Sequence, residues 1–113
     1  MKIFITGMAG MIGFHSAKKF HDLGWEVAGV DNFNNYYDVE LKRDRADILK
    51  NECGIEVNYA DITSDDIRNK DMLKDVDVML HLAAYANPRH SLVEPQLYID
   101  TNISGTQKLI DAA

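Results

Sequence analysis

The chain is predicted to be an α/β domain, a doubly wound parallel sheet of four strands with flanking helices. Three observations predict it. Short β-rich runs alternate with longer amphipathic stretches, giving β-α-β-α-β-(α)-β-α along the chain. The first β-rich run ends on the glycine spacing Gly7-x-x-Gly10-x-x-Gly13, where a helical pattern begins. An acid, Asp31, closes the second run 24 residues past Gly7.

Ile3-Phe4-Ile5 is the first strand. Gly7 to Gly10 forms the turn that follows it. A helix is expected from Met11 to Leu23, with Ile12, His15/Ser16, Lys19/Phe20 and Leu23 near a 3.6 period and Gly24 as its stop. Glu26 to Val30 is a buried strand ending at Asp31. Asn32 to Asp38 has turn chemistry, and a charged helix follows from Val39 to Asn51 with Leu41, Ile48 and Leu49 as a thin apolar face. Ile55 to Tyr59 alternates and reads as the third strand. A short helix carrying Ile67, Met72 and Leu73 is expected next, then a fourth strand over Val76 to Leu82. Ala83 to Glu94 reads as a loop, marked by Asn87-Pro88 and Glu94-Pro95. A last helix runs from Pro95 to the end, with proline suited to its first turn. Gly105 inside that helix costs about 1 kcal/mol against Ala, which argues for close packing there.

Composition narrows the function classes. The 113 residues carry 12 Lys+Arg and 18 Asp+Glu, a formal net charge of −6, with 46% hydrophobic residues. That suits one soluble globular domain with a core. The acidic balance argues against a nucleic-acid binder, which needs a clustered basic face. A single cysteine excludes a disulfide framework and a four-cysteine zinc site. No apolar run approaches the roughly 20 residues of a membrane helix. The opening Met1 to Gly7 is too short for a signal-peptide core, so a cytoplasmic, reducing setting is expected.

The glycine turn is the strongest chemical signal. Gly7 permits a sharp turn, Gly10 lets the backbone approach a pyrophosphate, and Gly13 lets helix and strand pack closely. The helix N-terminus offers N–H groups and a positive dipole end to phosphates. Asp31 is placed to accept from both hydroxyls of a ribose, and its charge would repel a 2′-phosphate. No Arg precedes Arg43 to receive one, so NAD is favoured over NADP. A tight turn without a ligand and a capping Asp are the bland alternatives.

Asp61-Ile62 follows the third strand, where ligands bind in open α/β sheets, so Asp61 could approach an adenine edge or be a solvated turn residue. His81-Leu82-Ala83-Ala84 ends the fourth strand, and its small residues would let a flat ring lie against backbone. His81 itself reads as a hydrogen-bonded structural residue; it has no partner at metal spacing. His15 and His21 read as helix-surface residues and His90 as a loop residue. Arg89 reads either as a cation beside the site, able to meet a diphosphate or carboxylate, or as a solvated loop residue. Cys53 reads as a bystander, and Lys42 to Asp47 as a mixed-sign solvated face.

Taken in order, the Thr6 to Gly13 motif, Asp31 to Asp38, Asp61-Ile62, His81 to Ala84 and Asn102-Ile103-Ser104-Gly105-Thr106 resemble the extended short-chain dehydrogenase/reductases, the NAD-dependent sugar-nucleotide epimerases and dehydratases. Val39 to Arg43 and Arg89-His90-Ser91-Leu92 make the UDP-glucuronate 4-epimerases the most similar branch. The resemblance covers essentially the whole chain. It implies a Rossmann-like fold, partial, with the four parallel strands in the order 3-2-1-4, and NAD as cofactor. Gly7, Gly10, Met11, Ile12 and Gly13 match the family's pyrophosphate loop. Asp31, Asn32 and Asn35 match its adenosine-ribose and phosphate contacts, and Asp61 and Ile62 its adenine contacts. Leu82, Ala83 and Ala84 match the wall beside the nicotinamide riboside, Asn102 a helix residue near the cofactor, and Arg89 a position in the substrate-side loop.

One departure matters. The family's chemistry needs a Tyr-x-x-x-Lys pair and a Ser or Thr on a further strand. No Tyr here has Lys four residues later: Tyr36, Tyr37, Tyr59, Tyr85 and Tyr98 are followed at that spacing by Glu40, Leu41, Thr63, Arg89 and Asn102. The expectation is therefore the N-terminal, cofactor-binding portion of such an enzyme (residues 1–113), inactive alone, with a nucleotide sugar as the parent's substrate. A stand-alone nucleotide-binding or interaction module without turnover, or a portion of a dehydratase, are the alternatives. An unpaired edge on the last strand and thin packing under Ile103, Leu109 and Ile110 predict self-association, a homodimer or marginal stability.

Overall fold

The computed structural model describes residues 1–34, 38–64, 73–86 and 88–113. Its elements are β1 (Lys2–Thr6), α1 (Met11–Asp22), β2 (Glu26–Asp31), α2 (Val39–Cys53), β3 (Val57–Tyr59), β4 (Val78–His81), α3 (Pro88–Val93), α4 (Pro95–Tyr98), a π-helical segment (Ile99–Gly105) and α5 (Thr106–Ala112). The four strands form one parallel sheet, as the alternation predicts, in the order β3-β2-β1-β4 that the resemblance implies. In register, Thr6 lies opposite Val30 on one side and His81 on the other. The carboxyl ends of β1, β2 and β4 thus finish at one level.

Strand alternation sends β1 side chains to two separate cores. Ile3 and Ile5 join Met8, Phe14, Ala17, Leu49 and Ile55 on the α1–α2 side. Phe4 joins Val30, Ala60, Ile62 and Leu109 on the opposite side, under α5. Helices on both faces explain why β1 reads as a continuous apolar run.

Several expectations are corrected. The buried face of α1 is Gly13, Phe14 and Ala17, whereas Ile12 and Leu23 are exposed. Gly13 decides this, because its face must meet the backbone of Gly7 and Met8. In α2, Leu49 is buried but Leu41 and Ile48 are exposed, and Lys42 takes an inward position. The third and fourth strands are shorter than expected. The segment read as a loop contains α3, because Pro88 opens a helix rather than breaking one. Arg89 and His90 accordingly lie on that helix, and His90 pairs with Glu94 at 3.4 Å. Pro95 does begin the next helix, which widens into the π-helical segment before α5. Gly105 is close-packed as expected: a Cβ there would stand 2.8 Å from the Ile62 side chain. The expected helix with Ile67 and Met72 lies outside the described residues.

Candidate functional site

A cleft opens beyond the carboxyl ends of the strands. It is lined by Gly7 and Gly10 from the turn after β1, by Asp31, Asn32 and Asn34 at the end of β2, by Asp61 and Ile62 after β3, and by Leu82, Ala83 and Ala84 after β4. All of these except Asn34 are residues that the sequence assigns to the site, and the fold brings them together. Met11, Ile12 and Gly13 form the first turn of α1 beside them. Asn35 lies outside the described residues.

The glycine turn is built by close approach. Gly7 has φ +70°, and a Cβ on it would stand 3.0 Å from the Ala83 nitrogen. A Cβ on Gly13 would stand 2.1 Å from the Gly7 carbonyl oxygen, inside any contact distance. The turn is tied to β2, whose Val30 carbonyl accepts from the N–H groups of Gly7 and Met8 at 2.9 and 3.2 Å. Gly10 is the N-cap of α1, and no side chain caps that end. The N-terminal N–H groups of α1 are thereby left to a ligand or solvent.

Asp31 is buried and bridges two segments. Its Oδ2 accepts from the Ala9 N–H at 3.0 Å and its Oδ1 from the Phe33 N–H at 2.8 Å. A carboxylate has roughly four lone-pair positions, so acceptor capacity remains toward the cleft. The capping reading and the ribose reading are therefore compatible. Asp61 closes its own turn, accepting from the Thr63 N–H and hydroxyl at 2.9 and 2.7 Å, and from the Asn32 amide at 3.2 Å. Burial alone would raise its pKa. The Thr63 and Asn32 hydrogen bonds and the Lys108 charge outweigh it, and the carboxyl sits below its ordinary value.

His81 is structural, as expected. Nδ1 lies 2.6 Å from Thr6 Oγ1 and Nε2 lies 2.9 Å from Thr106 Oγ1. Burial holds its pKa below the ordinary value. Asn102 does not line the cleft. Its side chain grips the Tyr85 backbone instead, accepting from N–H at 2.9 Å and donating to C=O at 2.8 Å. Tyr85, which sequence reasoning missed, does line the cleft. Burial and the Asp61 charge raise its phenol pKa, while the Asn34 and Asn32 amides bond it and act the other way. Arg89 is exposed on α3 and does not line the cleft.

The largest correction concerns α2. Lys42, expected on a solvated face, is only 4% exposed, lines the cleft, and donates to the Asn34 carbonyl and side-chain oxygens at 3.2 and 2.9 Å. Arg45, one turn on, donates to the Ala9 carbonyl at 3.3 Å. A signal for Lys42 is present: Val39, Lys42, Ala46, Leu49 and Cys53 follow the 3-4 spacing of an inward helix face. Its charge hides it. Among the described residues, no group of three or more His, Cys, Asp or Glu side chains could hold a metal ion, and no helix is long and apolar enough to cross a membrane.

The family model described as "NAD dependent epimerase/dehydratase family" matches residues 3–113. A probable UDP-glucuronate 4-epimerase of Rhizobium meliloti is 39% identical over 114 residues, covering 100% of this chain and 33% of that protein. The crystal structure of UDP-glucuronic acid 4-epimerase from Bacillus cereus in complex with UDP-glucuronic acid and NAD superposes with a TM-score of 0.87 at 33% identity, over 99% of this chain and 36% of that one. The UDP-glucose 4-epimerase of Thermus thermophilus in complex with NAD gives 0.81 at 25% identity, over 99% and 33%. The chain thus spans about a third of the length of these relatives.

Proposed function

The chain belongs to the NAD dependent epimerase/dehydratase family, and we propose that it is the part of a sugar-nucleotide 4-epimerase that holds NAD. The observation that carries this is the convergence of the glycine turn, the uncapped N-terminus of α1 and the Asp31 carboxylate on one cleft. Gly7, Gly10, Met11, Ile12 and Gly13 would receive the pyrophosphate. Asp31 and Asn32, with Asn35, would hold the adenosine ribose, and Asp61 and Ile62 the adenine. Leu82, Ala83 and Ala84 would lie along the nicotinamide riboside. Asn102 acts through Tyr85, keeping the loop after β4 in place. Arg89 is proposed as a contact to the nucleotide sugar in the whole enzyme.

Bound NAD would supply a hydride acceptor for oxidation at the sugar C4 and return the hydride afterwards. The residues of this chain bind and orient. A buried Asp31, already held by two N–H groups, presents acceptors to a ribose diol without needing to reorganise. None of these 113 residues forms the Tyr-x-x-x-Lys pair that would move the proton, so turnover by this stretch alone is not expected. A UDP-glucuronate substrate is the specific reading, supported by the Rhizobium and Bacillus relatives. A cytoplasmic, reducing setting belongs to the same reading.

Titrating NAD against the chain and a Gly10→Val variant tests the site. Saturable binding by the chain, weakened in the variant by a side chain beside the α1 N-terminus, is the expected result. Equal binding by both would sink the assignment.

A further inference from the structure

Tyr85 reaches across the cleft from the loop after β4. Its phenol group is hydrogen-bonded by the side-chain amides of Asn34 and Asn32, both on the loop after β2. Chemistry fixes how these amides are turned. A lysine ammonium has donors and no acceptor, so the Asn34 Oδ1 faces Lys42 at 2.9 Å and the Asn34 NH2 is the group given to the phenol. The Asn32 Oδ1 accepts from the Asn34 N–H at 3.1 Å, and its NH2 donates to Asp61 at 3.2 Å, so that NH2 is likewise the side turned to the phenol. Both ends of the bridge are anchored. On the β2 side, Lys42 is buried and holds Asn34 by its carbonyl and side-chain oxygens. On the β4 side, Asn102 holds the Tyr85 N–H and C=O at 2.9 and 2.8 Å, and the Tyr85 ring packs on Tyr98 with centroids 5.7 Å apart. The strands β2 and β4 flank β1, so a link between the loops that follow them passes across the Gly7–Gly10 turn that follows β1.

We propose that Tyr85 is a further residue of the cofactor site, and that the Lys42–Asn34–Tyr85 bridge is a clasp that holds a dinucleotide down on the glycine turn. The proposal rests on the NAD-binding reading above and deepens it. A ligand running from the Asp31 wall to the Ala83 wall lies between the turn and the clasp. It leaves only when the amide–phenol bonds break, so the clasp acts on the rate of release. Lys42 and Asn34 are positioning residues in this scheme: the ammonium orients the amide, and the amide holds the phenol.

The test is the release of NADH, whose nicotinamide fluoresces, from the loaded chain on mixing with excess NAD in a stopped-flow instrument. The unsubstituted chain is compared with Tyr85→Phe, Asn34→Ala and the double variant. Tyr85→Phe keeps the ring against Tyr98 and removes only the hydroxyl, so it should release NADH about tenfold faster, the scale of one or two lost hydrogen bonds. Asn34→Ala should also speed release. Adding it to Tyr85→Phe should change the rate by less than about twofold, because the bond it would break is already gone. Residues that each shaped only their own loop would not be coupled, and their effects would multiply. An unchanged rate in Tyr85→Phe overturns the proposal, as do multiplied effects in the double variant. NADH binding by the unsubstituted chain shows in the same experiment that only the clasp has failed. Absence of that binding overturns the cofactor site and the clasp together. Circular dichroism checks folding, and Asn34→Ala alone carries the comparison should Tyr85→Phe unfold: an unchanged rate there overturns the proposal too.

Discussion

The Thr6 hydroxyl lies 2.6 Å from His81 Nδ1 across the β1–β4 pair. Thr6 Oγ1 already accepts from the N–H groups of Leu82 and Ala83 at 3.0 and 3.1 Å. Its own proton must therefore be the one given to Nδ1, which assigns the ring proton to Nε2, facing Thr106. Thr106 in turn donates to the Asn102 carbonyl at 2.7 Å. The network requires a neutral imidazole, since a protonated Nδ1 would confront a hydroxyl with no acceptor capacity left.

The pH dependence follows. Burial lowers the His81 pKa below its ordinary 6.5, so the unfolded chain binds the proton more readily than the folded one. This contribution to stability is present above pH 6.5 and is lost as pH falls from there toward the folded-state value. Denaturation midpoints measured across that range should decline with acid, and His81→Gln should flatten the decline. An unchanged slope in the variant would count against the assignment.

Asp31→Ala should do two separable things. It leaves the Ala9 N–H buried without its acceptor, at a cost of about 1–3 kcal/mol in unfolding free energy. It also removes the proposed ribose acceptor, weakening NAD binding. Asp31→Asn keeps an oxygen for Ala9 but sets its NH2 against the Phe33 N–H, so it should recover only part of the stability and little of the NAD affinity. Chemical denaturation and calorimetry together distinguish the two losses.

Gly13→Ala should be among the most damaging small substitutions in the chain. Its Cβ would stand 2.1 Å from the Gly7 oxygen and 2.8 Å from the Met8 Cα, both backbone atoms that no rotamer change can relieve. Overpacking of this kind costs about 1–3 kcal/mol or more. Gly24 is the control: its φ of +84° strains an alanine, but nothing lies within 4 Å of a Cβ. A smaller drop in melting temperature for Gly24→Ala than for Gly13→Ala is expected.

The open edges predict self-association. Among the described residues β4 pairs with β1 alone, Val78 on it is exposed, and Ile103 and Ile110 are exposed on the following helical segments while Leu109 is buried. Light scattering should show mass increasing with concentration. A stable monomer at high concentration would refute this, and Ile103→Lys with Ile110→Lys should reduce the association if those side chains contribute.

The alternation of strands and helices, the glycine turn, Asp31 and the close packing at Gly105 are legible in the chain because each follows a local rule, whereas the strand order comes with the family resemblance. Periodicity identifies a strand, and a glycine between strand and helix marks a backbone that must turn or touch another backbone. What stays hidden depends on contacts between distant segments. The inward face of α1 escapes periodicity because Gly13, not the apolar side chains, sets which face meets β1. Lys42 escapes it because its burial is made tolerable by Asn34 and Asp31, partners that only the fold delivers. Asn102 belongs to the site by sequence pattern, yet its amide is spent on the Tyr85 backbone, 17 residues earlier. Spacing along the chain is thus enough to specify the parallel sheet and the place where a dinucleotide would lie. Which charges share that place is settled by the folded arrangement, because a charge is buried or solvated according to neighbours that are remote in sequence.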